Sequence, residues 1–202
     1  MWVIDEYFPS WKDLVIHESS PVKRGASLRL QSECASYIPS QYFPNRDLGG
    51  EVDGARCENL EALTFADESI DLHVSQDVME HIFSPVAAFR EIARTLKPGG
   101  AHIFTVPIVR KHEASRVRAR LNEAGEIVHL QEPEYHGNPI DDKGSLVTVD
   151  WGYDICRHIF AACGLFTHTI RIDDISKGIR AEYIEVLVTL KTDPKIIANA
   201  MP

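Results

Sequence analysis

Short apolar runs alternate along this chain with stretches of mixed polarity, a pattern that predicts strands separated by helices. Such runs indicate strands at residues 13–18, 37–39, 70–75, 101–108, 165–173 and 182–190. The run at 101–108 is almost continuously apolar, which is typical of a strand covered on both faces. Strands that alternate with helices predict an α/β fold built on a mostly parallel sheet.

The best-defined helix is predicted to begin at Pro85, a residue type that suits the first helical position. Ser84 is the expected N-cap, and Pro98 and Gly99 are expected to end the helix in a turn. One apolar face at helical spacing is formed by Val86, Phe89, Ile92, Ala93 and Leu96. Further helices are expected at residues 24–35 and 151–163, the second ending at Gly164.

Polar residues follow each of the early strands. They occupy residues 17–21, 39–42, 57–60 and 75–81. The carboxyl ends of parallel strands meet at one edge of a sheet, and ligands of α/β proteins bind at that edge. The sequence therefore predicts one ligand-binding cleft.

A segment of about forty residues, 109–150, separates the run at 101–108 from the next helix. Residues 116–121 and 126–130 can pair as a hairpin, whereas residues 131–150 are rich in Pro, Gly, Asp and His and indicate a long loop. Connections this long inside a domain are usually functional or disordered. We expect a lid-like insertion that forms one wall of the cleft, within a single domain spanning residues 1–202.

Composition excludes several classes of partner. The net charge is −9 and no block of Lys or Arg stands out, so no nucleic-acid partner is expected. The four cysteines show no CxxC spacing, which argues against a disulfide framework or a zinc site, and no metal is expected. No apolar run approaches the ~20 residues that span a bilayer, and the first residues do not resemble a signal peptide. A cytoplasmic protein without a membrane partner is the expectation.

The segment FADESIDLHVSQDVMEHI, followed by AAFREIARTLKPGGAHIFTVP, resembles the central half of class I S-adenosylmethionine-dependent methyltransferases, of the type 11-like group. The resemblance is close over residues 57–107. It implies a Rossmann-like seven-stranded, mostly parallel sheet with one antiparallel strand and helices on both faces. It also implies S-adenosylmethionine as the cofactor.

The resemblance places cofactor contacts at the four strand ends. The residues at those positions are His17, Glu18, Ser19, Ser20, Gly25, Gln41, Glu58, Asn59, Leu60, Ser75, Gln76 and Asp77. The first turn lacks the family's glycines before Gly25, and Gln41 and Asn59 stand where the family has acidic residues. Each of these two side chains keeps a hydrogen-bond acceptor but without the charge.

His136 and His81 are the candidate catalytic residues. His81 recurs in the family pattern, and His136 lies beside Tyr135 in the long segment, where it could orient an acceptor. The alternative for His81 is a buried histidine that ties a helix to a loop. The alternative for His136 is a histidine on a surface loop.

The implied activity is methyl transfer to a small-molecule or glycan-type acceptor. Because a sulfonium already makes the methyl group labile, the protein mainly has to align donor and acceptor. A general base is needed only for a hydroxyl or a protonated amine. One alternative is a methyltransferase-like domain that binds a ligand or partner without catalysis. A nicotinamide-dependent oxidoreductase is disfavoured because no GxGxxG follows the first strand.

Overall fold

The computed structural model describes residues 1–138 and 142–193. The first strands are β1 (Val15–Ser19), β2 (Ser36–Gln41), β3 (Glu51–Val52), β4 (Ala55–Cys57), β5 (Ile70–Gln76) and β6 (Leu96–Thr105). Six short strands follow: β7 (Arg116–Val117), β8 (Ala119–Leu121), β9 (Ile127–His129), β10 (Tyr135–His136), β11 (Ser145–Leu146) and β12 (Val149–Asp150). The last strands are β13 (Phe166–Arg171) and β14 (Glu185–Leu190). The α-helices are α1 (Trp2–Tyr7), α2 (Gly25–Glu33), α3 (Pro85–Thr95) and α4 (Ile155–Cys163).

Eight strands form one sheet in the order β13-β14-β6-β5-β1-β2-β4-β3. The pairings among β1, β2, β4, β5 and β6 are parallel, whereas β14 is antiparallel to both of its neighbours. The predicted Rossmann-like sheet is confirmed, with one strand more than expected. The extra strand is β3, which turns back along β4 through Asp53 and Gly54. Both turn residues have positive φ (51° and 79°), as two-residue hairpin turns require.

Helices cover both faces of the sheet, as predicted. On one face, Phe89 of α3 and Ile159 of α4 pack in a cluster with Phe104 of β6. On the other, Leu30 of α2 belongs to a second cluster with Ile103. Phe104 and Ile103 are neighbours on β6 but pack in clusters on opposite faces of the sheet, because side chains alternate along a strand. No helix in these described ranges is long and apolar enough to span a membrane.

Residues 97–100 differ from the turn that the sequence predicts, because they form the first half of β6. The register of β6 on β5 shifts between Ile70 and Leu72 to accommodate them. A Cβ atom on Gly100 would lie 2.7 Å from the carbonyl oxygen of Asp71. Glycine therefore allows the two backbones to approach at this irregularity.

The described parts of the segment, 109–138 and 142–150, contain more regular structure than the predicted loop. The hairpin is confirmed as β8 with β9, and these parts contain two further antiparallel pairs, β12 with β7 and β10 with β11. Arg116 and Arg118 both bind the carboxylate of Asp150, which fastens the two ends of the segment to each other. The movement of this segment as a lid stays a prediction.

Candidate active site

The carboxyl ends of β1, β2, β4 and β5 lie at one edge of the sheet, and strained backbone marks two of them. Ser20 follows β1 and Asp77 follows β5, with φ of 55° and 52°. A non-glycine residue in this region costs about 1–2 kcal/mol, so the surroundings must hold it. The amide of Ser20 donates to the carbonyl of Ser40 (2.8 Å), and the amide of Asp77 donates to Thr105 (3.1 Å). The backbone at Ser20 is thus held by β2, and the backbone at Asp77 is held by β6.

Glu18, at this edge, is fully buried and joins four elements. Its Oε1 accepts hydrogen bonds from Ser27 Oγ (2.6 Å) and Gln76 Nε2 (2.9 Å), and its Oε2 accepts one from Tyr37 Oη (2.7 Å). Burial, followed by the nearby Glu18 carboxylate, raises the pKa of Tyr37, so its hydroxyl remains a donor at neutral pH. The predicted residues Glu18 and Gln76 are therefore together, in a network that fixes the edge.

Glu58 is also buried, and its carboxylate is occupied by protein donors. Arg56 Nε binds its Oε1 at 2.5 Å, and the Thr64 amide binds its Oε2 at 2.9 Å. The neighbouring Leu60 packs in the hydrophobic cluster under α3. Gln41 and Asn59 are only half-buried. Both side chains therefore keep exposed surface for a ligand, as do Ser20, Gln76 and Asp77.

Asn59 has a local structural role as well. Its Oδ1 accepts a hydrogen bond from the amide of Glu61 at 2.9 Å, a turn that its side chain stabilises. Gly25, the first residue of α2, has a φ of 57°, and a Cβ atom there would meet nothing within 4 Å. Open space therefore lies in front of Gly25.

His17 lies further inside the sheet than a ligand-binding position. Its Nε2 is 2.7 Å from Ser40 Oγ and its Nδ1 is 2.8 Å from His73 Nδ1. Both ring nitrogens are thus used within the protein, which leaves only the backbone of His17 for a ligand. Ser75 is similar, because its hydroxyl pairs with His102 Nε2 at 3.0 Å.

These contacts belong to a row of buried histidines that we did not predict. His17, His73 and His102 occupy matching positions on the adjacent strands β1, β5 and β6. All three are buried, and burial is the main cause of their lowered pKa values, about 3 for His17 and His102. A signal was available, since each of three predicted strands carries one histidine within an apolar run.

A cavity of about 160 Å³ opens beside the ends of β5 and β6. Gln76 and Thr105 contribute polar atoms to its wall. The other walls are mostly apolar and come from α1 and from the connection between β13 and β14, with Trp2, Ile4, Ile172, Ile179 and Ile184. The cavity therefore offers an apolar surface next to the polar edge.

The two candidate catalytic histidines are close to each other, as the proposed roles require. The rings of His81 and His136 are 5.1 Å apart and nearly perpendicular. Each has a nitrogen 3.7 Å from Oε1 of Glu80, a buried residue of the family-like segment to which the sequence analysis assigned no role. His136 is half-buried, and its pKa is raised, chiefly by Glu80. The structure thus joins the turn after β5 to the segment 109–150 through these three side chains.

A second set of contacts holds that junction in place. The Thr148 hydroxyl contacts the carbonyl oxygens of Glu80 (3.0 Å) and Ile82 (2.7 Å), and the Thr148 amide donates to Glu80 (2.8 Å). Trp151 Nε1 donates to the carbonyl of Met79 at 3.1 Å. Residues 79–82 are therefore fixed by the end of the long segment.

Sequence comparison places the central part of the chain among methyltransferases. A family model described as a methyltransferase domain matches residues 40–104. A ubiquinone biosynthesis O-methyltransferase from Parvibaculum lavamentivorans is 40% identical over 45 residues. That alignment covers 22% of this chain and 18% of the relative, so the chain matches less than a fifth of that enzyme's length.

Structural comparison extends the similarity to the whole fold. An S-adenosylmethionine-dependent methyltransferase from Mesorhizobium loti matches with a TM-score of 0.56 and 16% identity, covering 93% of this chain and 94% of its own. The 1,6-didemethyltoxoflavin-N1-methyltransferase from Burkholderia thailandensis, solved with its substrate and S-adenosylhomocysteine, gives 0.51 and 10% identity. It covers 95% of this chain and 76% of its own. At these identities the structural likeness concerns the fold.

Proposed function

We propose that this chain transfers the methyl group of S-adenosylmethionine to a hydroxyl oxygen of a small-molecule or glycan-type acceptor, because residues 40–104 match a methyltransferase domain and the fold is similar to that of an S-adenosylmethionine-dependent methyltransferase. One observation carries the proposal. The edge predicted to hold the cofactor continues, after β5, into the cluster of Glu80, His81 and His136, whose basic atoms can take a proton. Donor and proton acceptor would thus be neighbours.

The residues at the edge fit an adenosyl group with a sulfonium side chain. Gln41 and Asn59 offer half-buried amides that can bind hydroxyl and amino groups. Open space in front of Gly25 and the cavity beside Gln76 leave room for the rest of the ligand. Gln76 Nε2 donates hydrogen bonds to the buried Glu18 and to Ser27, and these bonds fix the Gln76 side chain at the edge.

When bound, the cofactor supplies a methyl group on a positively charged sulfur. The acceptor oxygen would form a bond to that methyl carbon, and the electron pair of the broken carbon–sulfur bond would stay on the sulfur. The hydroxyl proton leaves to the cluster of Glu80 and the two histidines, from which it passes to water. This chain mainly orients the two reactants.

An oxygen acceptor is favoured over a carbon acceptor by the same cluster. A hydroxyl needs a base to remove its proton, and the buried carboxylate of Glu80 lies beside two imidazoles. The short match to a ubiquinone biosynthesis O-methyltransferase supports this choice. A cytoplasmic setting is supported by the four cysteines, all of which are free thiols.

A second candidate function is a methyltransferase-like domain that binds a ligand or partner without catalysis. It is favoured by the buried carboxylates of Glu18 and Glu58, which are occupied by protein donors, and by Gln41 in place of an acidic residue. The two candidates differ in what they predict. The enzyme binds S-adenosylmethionine and converts it, whereas the non-catalytic domain does not convert it.

The test is calorimetric titration of the purified chain with S-adenosylmethionine and S-adenosylhomocysteine, with NADH as the control ligand. We expect both sulfur ligands to bind and NADH not to bind. A panel of hydroxylated acceptors would then be assayed for conversion of S-adenosylmethionine to S-adenosylhomocysteine. No binding at millimolar ligand would overturn the enzyme proposal and favour the non-catalytic domain.

A further inference from the structure

Glu80 is a buried carboxylate whose oxygens lack hydrogen-bond donors. The residue is 2% exposed, and within the described ranges neither Oε1 nor Oε2 has a hydrogen-bond partner. A buried charge is costly unless it is paired, hydrogen-bonded or bound to a metal. The two histidine nitrogens at 3.7 Å are beyond hydrogen-bond distance. Within the described ranges, the ion-pair neighbours of this carboxylate are His81 and His136, which are charged only when protonated.

His81 is oriented with one nitrogen towards Glu80. Its Nδ1 lies 2.9 Å from the carbonyl oxygen of Leu146 and must donate a proton to it. In the neutral ring Nε2 then carries a lone pair, and this is the atom 3.7 Å from Glu80 Oε1. Histidines that bind metals have this arrangement, in which the outer nitrogen donates to a carbonyl or carboxylate.

His136 has a carboxylate on its outer side, at ion-pair distance and without a hydrogen bond. Its Nδ1 lies 3.7 Å from Glu80 Oε1, and its Nε2 lies 3.6 Å from Oε1 of Glu134. Donor atoms of Glu80, His81 and His136 all lie within 4.8 Å of one another. One carboxylate and two imidazoles thus converge on a common point from two separate parts of the chain.

We propose that Glu80, His81 and His136 bind a divalent transition-metal ion. Two nitrogen ligands and one carboxylate suit Zn²⁺, Co²⁺ and related ions, whereas Mg²⁺ prefers oxygen ligands. Bonds of about 2.0–2.2 Å place neighbouring ligand atoms about 3–3.5 Å apart. The two 3.7 Å separations from Glu80 Oε1 therefore close by a few tenths of an ångström, and the two imidazole nitrogens, which lie within 4.8 Å of each other, close by about 1–2 Å at most. Glu134 and the Leu146 carbonyl act as positioning groups for the two rings.

Three protein ligands leave at least one coordination position open for an acceptor oxygen. With an ion bound, the cluster activates the hydroxyl differently from the metal-free base described above: the ion lowers the pKa of the bound hydroxyl. The released proton then passes directly to water, because the imidazole and carboxylate lone pairs bind the ion. This part of the inference rests on the proposed methyl transfer. The binding of the ion does not, and it can be measured without cofactor or acceptor.

The experiment uses the full chain after treatment with a chelator. Zn²⁺ is titrated by calorimetry, and Co²⁺ is followed by its visible absorption, which reports ligand type and geometry. We expect one ion per chain, displacement of Co²⁺ by Zn²⁺, and no comparable heat with Mg²⁺. Absence of both Zn²⁺ and Co²⁺ binding at 1 mM would overturn the site, even if S-adenosylhomocysteine still binds.

Variants identify the ligands. Glu80→Gln and His136→Ala are each expected to weaken Zn²⁺ binding by at least 100-fold, and Glu134→Gln by about 10–100-fold, the usual effect of an outer partner. His129→Ala, an exposed histidine of the same segment, is the matched control and should bind normally. His136 is half-buried on a short strand, so its variant remains informative if Glu80→Gln unfolds. Normal binding by His136→Ala would refute the assignment.

The two proposals can fail separately. Metal binding without binding of S-adenosylmethionine overturns the proposed function and leaves the metal site. Binding and turnover of S-adenosylmethionine by metal-free protein leave the function and overturn the role of the ion.

Discussion

The Nδ1 atoms of His17 and His73 face each other at 2.8 Å in the buried centre of the sheet. Only one of them can carry a proton in a neutral pair, and the surrounding bonds determine which. Thr95 Oγ1 donates its single proton to the carbonyl of Glu91 (2.9 Å), so His73 Nε2 must donate to Thr95 Oγ1 (2.7 Å). His73 Nδ1 is then an acceptor, and His17 Nδ1 is the donor.

The same reasoning continues to the neighbouring strand β2. Because the proton of His17 is on Nδ1, its Nε2 accepts from the hydroxyl of Ser40 at 2.7 Å. Four consecutive hydrogen bonds therefore link Ser40 to the carbonyl of Glu91, and in each of them the group nearer to Ser40 is the donor. Each ring is neutral in this chain, in agreement with the lowered pKa values of His17 and His73.

These histidines predict a loss of stability in mild acid. Their folded-state pKa values are depressed, so below the ordinary value of 6.5 the unfolded chain binds protons that the folded protein excludes. Stability is then fully present above about pH 6.5 and falls until the folded rings also titrate, near pH 3 for His17 and His102. Each ring contributes about 1.4 kcal/mol per pH unit to the slope in that window.

Urea unfolding between pH 4.5 and 5.5 tests this with His102→Leu. The variant should reduce the slope of unfolding free energy against pH by about 1.4 kcal/mol per unit, which is one proton. His129→Leu, on the surface, should leave the slope unchanged. A slope of wild-type size in His102→Leu would show that His102 is charged in the folded protein.

Gln41→Glu is expected to tighten the binding of S-adenosylhomocysteine about 3–10-fold, since a charged acceptor makes a stronger hydrogen bond to a hydroxyl. Gln41→Met, of similar length but without an acceptor, should weaken binding. Calorimetry on the three proteins measures both effects. Equal affinities would remove Gln41 from the cofactor site.

Thr148→Val should destabilise the protein by about 1–3 kcal/mol, because the hydroxyl that contacts the buried carbonyls of Glu80 and Ile82 is lost at nearly constant volume. Hydrogen exchange should also rise at residues 145–151. The exposed Thr169→Val serves as the control for replacing a threonine by valine in a strand. Unaltered stability and exchange would mean that the remaining backbone contacts hold this segment alone.

Gly100→Ala should be destabilising by about 1–3 kcal/mol or more, since the new Cβ would lie 2.7 Å from one backbone oxygen and 2.9 Å from another. Gly137→Ala is the matched control, because a Cβ there meets nothing within 4 Å. Its stability should change by no more than about 0.5 kcal/mol. Chemical denaturation of both variants gives the comparison, and equal stabilities would contradict the close approach at Gly100.

The sequence predicted those helix boundaries that depend on a single residue type at the boundary itself. Pro85 begins α3 and Gly164 ends α4 in a left-handed conformation, with φ of 75°. Ser84 occupies the N-cap position, as predicted, but its side chain makes no cap bond. Instead, Oε1 of Glu61 accepts from the amides of Phe83 and Ser84, a contact between distant residues that no local pattern contains.

The site was predictable in its position and less so in its side chains. The strand ends predicted which edge of the sheet holds the candidate site, and the family pattern predicted His81 as a candidate residue. The burial of Glu18 and Glu58 could not be predicted in this way, because it depends on hydrogen-bond donors from elsewhere in the chain. Val86 illustrates the limit of periodicity, because it is 46% exposed although it falls on the predicted apolar face. Glu80 was missed because its isolation from donors is a property of three-dimensional packing.

The contacts of Thr148 also bear on the order in which the protein folds. Its hydroxyl reaches the Ile82 carbonyl across 66 residues, and closing a flexible loop of that length costs about 4 kcal/mol of chain entropy. Pairings over such separations form slowly, so Glu80 and His136 should meet only after β5 and β6 have paired. During folding, the sheet edge at β5 and β6 would then exist before the cluster beside it.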